Sequence, residues 1–208
     1  MSPRLDLPVA IAVWVAGFAW LMRSGSWTPL AVGVVAAAAR LVAADATTRR
    51  LLAPGLAPLG VGAAAGLAMI AVTYLAFPPL ASASAAAVGG ARDLYAALGA
   101  AQHQPATLVA VLGVVAASEE IVWRGRILAR PSSATGSTVR LRDVARVLAH
   151  AVVYGGAHGA SGSALLCLVA FLCGIAWGFV RVASGSLWPS VVAHVAWSSA
   201  VLVLWPLV

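Results

Sequence analysis

The chain contains no lysine and very little charge. Its 13 basic residues are all arginine, it has six acidic residues, and charged residues make up 9% of its 208 positions. Soluble globular domains carry about a quarter charged residues, so a water-facing surface is excluded over most of the chain. Cysteine is almost absent as well, with only two residues, Cys167 and Cys173. They lie six apart in one apolar run, where helical geometry sets them on different faces. They read as small buried residues, neither a disulfide nor a metal pair.

What is present in quantity is hydrophobic: 62% of residues, with a mean hydropathy of +0.97. Helices of about 20 residues cross the ~30 Å hydrocarbon core of a bilayer, and several such runs account for nearly the whole sequence. The expected fold is therefore all-α, a polytopic transmembrane bundle of about seven spans. The runs are 7–22, 28–44, 56–80, 106–129, 143–158, 164–182 and 189–208, with a short interfacial helix near 91–98 in the loop 81–105. The first run is not followed by a small-x-small cleavage signature, so it is kept as a span rather than a signal peptide. Segment 1–105 supplies three N-terminal spans and a connecting loop, and 106–208 a core of four. Gly62-x-x-x-Gly66 and Gly174-x-x-x-Gly178 have the spacing that allows close helix contact.

The net charge of +7 does not point to nucleic acid, because arginine beside spans is accounted for by the positive-inside bias. Seven spans collect Arg4, Arg49, Arg50, Arg130, Arg140, Arg142 and Arg181 on one side and Arg23 and Arg92 on the other. This predicts a cytoplasmic N-terminus. The abundance of Ala, Gly, Val and Arg suggests a GC-rich prokaryotic genome, and hence a cell (inner) membrane.

Against this background two carboxylates stand side by side, Glu119 and Glu120, toward the end of the fourth run. Ionisable residues inside a bilayer are costly, and by default they mark a functional site with a partner elsewhere. Glu120 and Arg124 are four apart and share a helix face, so the arginine can neutralise that carboxylate. Glu119 points about 100° away and is left available. At 1.5 Å per residue, Glu119, His158 and His194 fall roughly 15, 20 and 12 Å in from the same side. Three helices thus bring polar groups to similar depth. His150, Tyr154 and His158 form an i, i+4, i+8 stripe, and Ser198 follows His194 by one turn. His150, nearer the helix start, reads as a packed residue bonded to a backbone carbonyl, and His103 as an exposed loop residue. Ser118 has no base at helical spacing and reads as a packing residue, not a nucleophile.

A carboxylate and an imidazole held out of water can share the proton of a bound water and direct it at an amide. The resulting oxyanion needs donors, which His194 and Ser198 can supply. A zinc-dependent membrane hydrolase is the rival enzyme reading, since Glu and two His also bind zinc, but no His-Glu-x-x-His pair is present. A non-catalytic adaptor or immunity-type membrane protein, its polar cluster serving only packing, is the rival of another class.

Glu119-Glu120-x-x-x-Arg124, then Tyr154-x-x-x-His158, then Gly185-Ser-Leu-Trp188 leading into His194-x-x-x-Ser198, resembles the CPBP family of intramembrane glutamic proteases. That family includes CAAX prenyl endopeptidases and bacteriocin-processing and immunity proteins. The resemblance covers about 106–200. It implies Glu119 as the catalytic carboxylate, His158 as the water-activating histidine and His194 on the oxyanion side, with Glu120 and Arg124 in support and no cofactor. Ser198 stands where the family commonly has Asn, and Tyr154 where Phe is more usual. The implied partners are the lipid bilayer and a peptide or protein substrate at the membrane, such as a C-terminal sorting tail or a leader peptide. Prenylated peptides fit the prokaryotic composition least.

Overall fold

Alanine and leucine favour helix along nearly the whole chain, and side-chain caps, first-turn prolines and a few positive-φ glycines mark where elements start and stop. The structure, a computed structural model, describes residues 6–99, 103–128 and 140–208. Among these residues there are nine α-helices and no strand: α1 (Asp6–Ser24), α2 (Thr28–Ala44), α3 (Ala46–Leu51), α4 (Leu56–Ala83), α5 (Ala85–Ala97), α6 (Pro105–Glu120), α7 (Leu141–Ala157), α8 (Ala164–Ser184) and α9 (Trp188–Ser199). Two π-helical segments continue α6 (Ile121–Ile127) and α9 (Ala200–Leu204), and a 3₁₀ turn continues α7 (His158–Ser161). Proline occupies the first turn of α2, α6 and α9, where its missing N–H removes no helix bond. Gly185, at φ +69°, ends α8 in the left-handed conformation that a side chain would disfavour. Arg4 and most of the 130–142 stretch lie outside the described residues.

Four of these elements are long and apolar enough to cross a membrane: Leu7–Ser24, Leu56–Ala83, Pro105–Arg126 and Ala164–Ser184. By length and composition the chain is an integral membrane protein. The other three expected spans fall short on the same criteria for visible reasons. Thr28–Ala44 and Trp188–Leu204 are apolar but shorter, and α7 opens on Arg142, Asp143 and Arg146. After Asp45 the chain forms α3, whose first turn is capped by the Asp45 side chain accepting from the Thr47 and Thr48 amides. One local expectation is corrected. The short helix of the 81–105 loop starts at Ala85 rather than near 91, its first turn capped by Ser84.

Helix contacts run through small residues, as expected where lipid gives no hydrophobic drive between spans. A Cβ on Gly62 would lie 2.8 Å from the Pro189 carbonyl oxygen and from Val192 Cβ, and one on Gly66 3.1 Å from Ala196 Cβ. The first glycine motif therefore seats α4 on α9. The second seats α8 on α7: a Cβ on Gly174 would lie 3.2 Å from the Tyr154 ring and one on Gly178 2.9 Å from Val147. Overpacking of such a contact costs about 1–3 kcal/mol. Gly62→Val is accordingly expected to lower stability by about that amount, read as the unfolding midpoint of detergent-solubilised protein, while the same change at Gly60, which has open space around it, leaves the midpoint near wild type.

Two further ties fix the ends of the site helices. The Leu187 amide donates to the Leu51 carbonyl at 2.9 Å and the Trp188 indole to the Leu52 carbonyl at 2.9 Å. They anchor the α8–α9 turn to the end of α3, which sets the register of α9 and so of His194.

Candidate active site

The two glutamates end α6, immediately before the backbone opens into its π segment. Such segments are uncommon and recur at functional positions. Their side chains diverge. Glu119 accepts the Trp14 indole N–H on Oε1 at 2.8 Å and the Tyr154 hydroxyl on Oε2 at 2.9 Å. Glu120 Oε1 receives Nδ1 of His194 at 2.8 Å and lies 3.2 Å from Arg124 Nη1. The Glu120 and Arg124 side chains are both 0% exposed, so each charge depends on the other.

Arg124 is held as much by aromatic faces as by the ion pair. Its guanidinium carbon sits 4.1 Å from the Tyr154 ring centroid and 5.3 Å from that of Trp177, within the range of cation–π attraction. The Glu120 contact itself lacks the alignment of a hydrogen bond, which makes it charge against charge. His194 packs flat on Trp177, with ring centroids 3.7 Å apart.

His158 begins the 3₁₀ turn after α7, and its Nδ1 lies 2.8 Å from the Tyr154 carbonyl oxygen. A carbonyl only accepts, so Nδ1 carries the proton and Nε2 keeps its lone pair. This is the tautomer that can receive a hydrogen bond from water. The ring is fixed by edge contacts to Trp14 at 4.7 Å, Tyr154 at 4.7 Å and Phe18 at 5.1 Å.

Glu119, Tyr154, His158, Trp177, His194 and Ser198 line one cavity of about 80 Å³. A water needs roughly 10–15 Å³ of such space together with polar partners, so there is room for water beside the carboxylate. The helix spacing thus brings Glu119, His158, His194 and Ser198 to one cavity, while Glu120 and Arg124 are fully buried and do not line it. The chain has no asparagine anywhere, and four residues after His194 the buried Ser198 hydroxyl is the available donor. Glu120 does more than the spacing implies: it pairs with Arg124 and also binds His194, while Glu119 and His194 share the cavity. His150 differs too: it is buried between Trp123 and Tyr154 with neither ring nitrogen in a well-formed hydrogen bond. His103 is exposed, as its loop position implies, and its Nδ1 lies 3.1 Å from the Gly99 carbonyl oxygen.

Sequence reasoning missed Trp14 and Trp177. Trp14 and Phe18 sit four apart on α1 and stack in parallel with centroids 5.0 Å apart, a pattern that reads as ordinary core in a run of apolar residues. Among the described residues, no three of His, Cys, Asp and Glu come together as a set able to hold a metal ion.

Residues 101–200 match the family model described as Type II CAAX prenyl endopeptidase Rce1-like. Over that segment, just under half of its length, the chain is similar to the CAAX prenyl endopeptidase, or CPBP, family of membrane proteases. Comparison with curated proteins and with solved structures gives no match.

Proposed function

We propose that the protein is an intramembrane peptidase that hydrolyses a peptide bond of a membrane-associated or exported polypeptide with a water activated by Glu119 and His158. The observation that carries this reading is the convergence of Glu119, His158, His194 and Ser198, from α6, the end of α7 and α9, on one cavity. The Glu119 carboxylate takes a proton from the water while His158 Nε2 orients it, and the oxygen attacks the scissile carbonyl carbon. The developing oxyanion is met by Nε2 of His194 and the Ser198 hydroxyl. With Nδ1 held by Glu120 at 2.8 Å, Nε2 is the His194 nitrogen left to meet the oxyanion. The carboxylic acid on Glu119 then gives its proton to the departing amine nitrogen as the C–N bond breaks. A carboxylate and an amine leave, and no acyl-enzyme forms.

An apolar cavity of about 450 Å³ adjoins this site and shares Leu94, Val169, Cys173, Trp197 and Leu202 with it. It supports a substrate whose cleaved bond lies next to an apolar segment, such as a sorting tail or a leader peptide. We further infer seven crossings with a cytoplasmic N-terminus, α2, α7 and α9 with its π segment spanning alongside the four long helices, which puts the C-terminus outside. An alkaline phosphatase fused after Val208 is then active, and an inactive fusion that is cytoplasmically protected inverts the topology.

The test of the chemistry is hydrolysis by purified protein in strong chelator. A full rate, with one oxygen from labelled water in the new carboxylate and no trapped acyl-enzyme, is the expected result. A rate abolished by chelator and restored by zinc makes the protein a zinc hydrolase instead.

A further inference from the structure

We propose that Trp14 is a positioning residue for the reaction, its indole N–H holding the Glu119 carboxylate in register with His158. This rests on the reading of Glu119 as the base, and it extends the working site into α1, which lies outside the matched segment 101–200.

Three observations carry it. The terminal torsion of a glutamate is broad and poorly fixed on its own, yet both Glu119 oxygens are held, Oε1 by Trp14 at 2.8 Å and Oε2 by Tyr154 at 2.9 Å. Two donors from two helices define the plane of the carboxylate. Each ionised oxygen accepts about two hydrogen bonds, so one acceptor position on each remains for water. Second, the Trp14 ring meets the His158 ring at 4.7 Å, edge to face. One side chain therefore touches both members of the water-activating pair and sets the distance between them. Third, burial alone does not give a tryptophan this contact. Trp123 and Trp177, in the same site, bury their indole nitrogens with no hydrogen-bond partner, while the equally buried Trp14 has one across 105 residues of sequence. An indole only donates, so Trp14 neither takes up nor supplies the proton that moves. Its contribution is orientation.

Trp14→Phe keeps the stacked ring and removes the donor. Hydrogen bonds to a charged group are the stronger kind, and their loss from a base that must be aligned lowers kcat roughly 10- to 100-fold. KM is expected to stay near wild type, because Trp14 is not asked to bind substrate. The assay uses full-length protein in detergent and a peptide spanning a cleavage site found in cells where Glu119→Gln blocks processing. Proton NMR of ¹⁵N-indole-labelled protein provides a second readout: of the eight tryptophans, the resonance absent in Trp14→Phe moves when Glu119→Gln is introduced. If Trp14→Phe does not fold, the Trp14 resonance is assigned as the one absent in Trp14→His, and that variant, which restores a ring N–H, also decides the role by recovering turnover over Trp14→Ala. Wild-type kcat in Trp14→Phe, or an unmoved Trp14 resonance, overturns the proposal and leaves the peptidase reading standing. Full processing by Glu119→Gln removes that reading itself.

Discussion

Glu119→Gln is expected to abolish turnover while leaving the fold in place. A positioned general base contributes about 10²–10⁴-fold to rate, and here the amide has no lone pair basic enough to take the proton of water. The substitution is nearly isosteric. Trp14 can still donate to the amide oxygen, and the Tyr154 hydroxyl oxygen can turn to accept from the NH₂ group. Stability is therefore expected to change little while kcat falls by about 10²–10⁴-fold, measured on matched amounts of purified protein. Glu119→Asp is the sharper companion. It keeps the base but withdraws it by one methylene from two donors that reach it at 2.8 and 2.9 Å, so it is expected to recover only part of the rate.

Arg124→Ala is expected to do the reverse and act first on the fold. Removing one partner of a buried ion pair leaves the other charge uncompensated, at about 3–5 kcal/mol. Glu120 is 0% exposed, so no water replaces the guanidinium. The cation–π contacts to Tyr154 and Trp177 go as well. The loss reaches the chemistry through His194, whose Nδ1 depends on Glu120. An unfolding midpoint in detergent reports the stability term. Arg124→Ala together with Glu120→Gln is expected to recover part of it, since the orphaned charge is gone, without restoring activity. A midpoint in Arg124→Ala equal to wild type would mean the pair is not holding the bundle.

These results bear on what could be read from the chain. Glu120 and Arg124, Tyr154 and His158, and His194 and Ser198 were legible because each pair sits four residues apart on one helix, where spacing fixes a shared face. Shared depth then brought the pairs together, since helical rise converts sequence position into height. What height cannot supply is rotation. Which glutamate hydrogen-bonds which histidine depends on how α6 and α9 turn toward each other, and depth alone does not foretell that Nδ1 of His194 meets Glu120.

Trp14 was illegible for a different reason. Its link to Glu119 spans 105 residues, and nothing local in α1 separates a donor to a carboxylate from a core aromatic. The spans differ in legibility for a third reason. Leu56–Ala83 announces itself by 28 apolar residues, whereas α7 carries charge in its first turns and its burial against α8 comes from Gly155, Gly174 and Gly178, a tertiary feature. The glycine motifs themselves were read correctly, because small residues one turn apart have few other uses in a lipid-facing helix.

The account stands most directly on one comparison. Membrane and exported polypeptides from cells making the wild-type protein are compared with those from cells making Glu119→Ala at equal level and equal folded fraction. The account predicts that a defined set accumulates uncleaved only with Glu119→Ala, each member carrying an apolar segment beside the wild-type cleavage point. Identical profiles, with the variant folded and in the membrane, would contradict it and assign the buried polar cluster to helix packing alone.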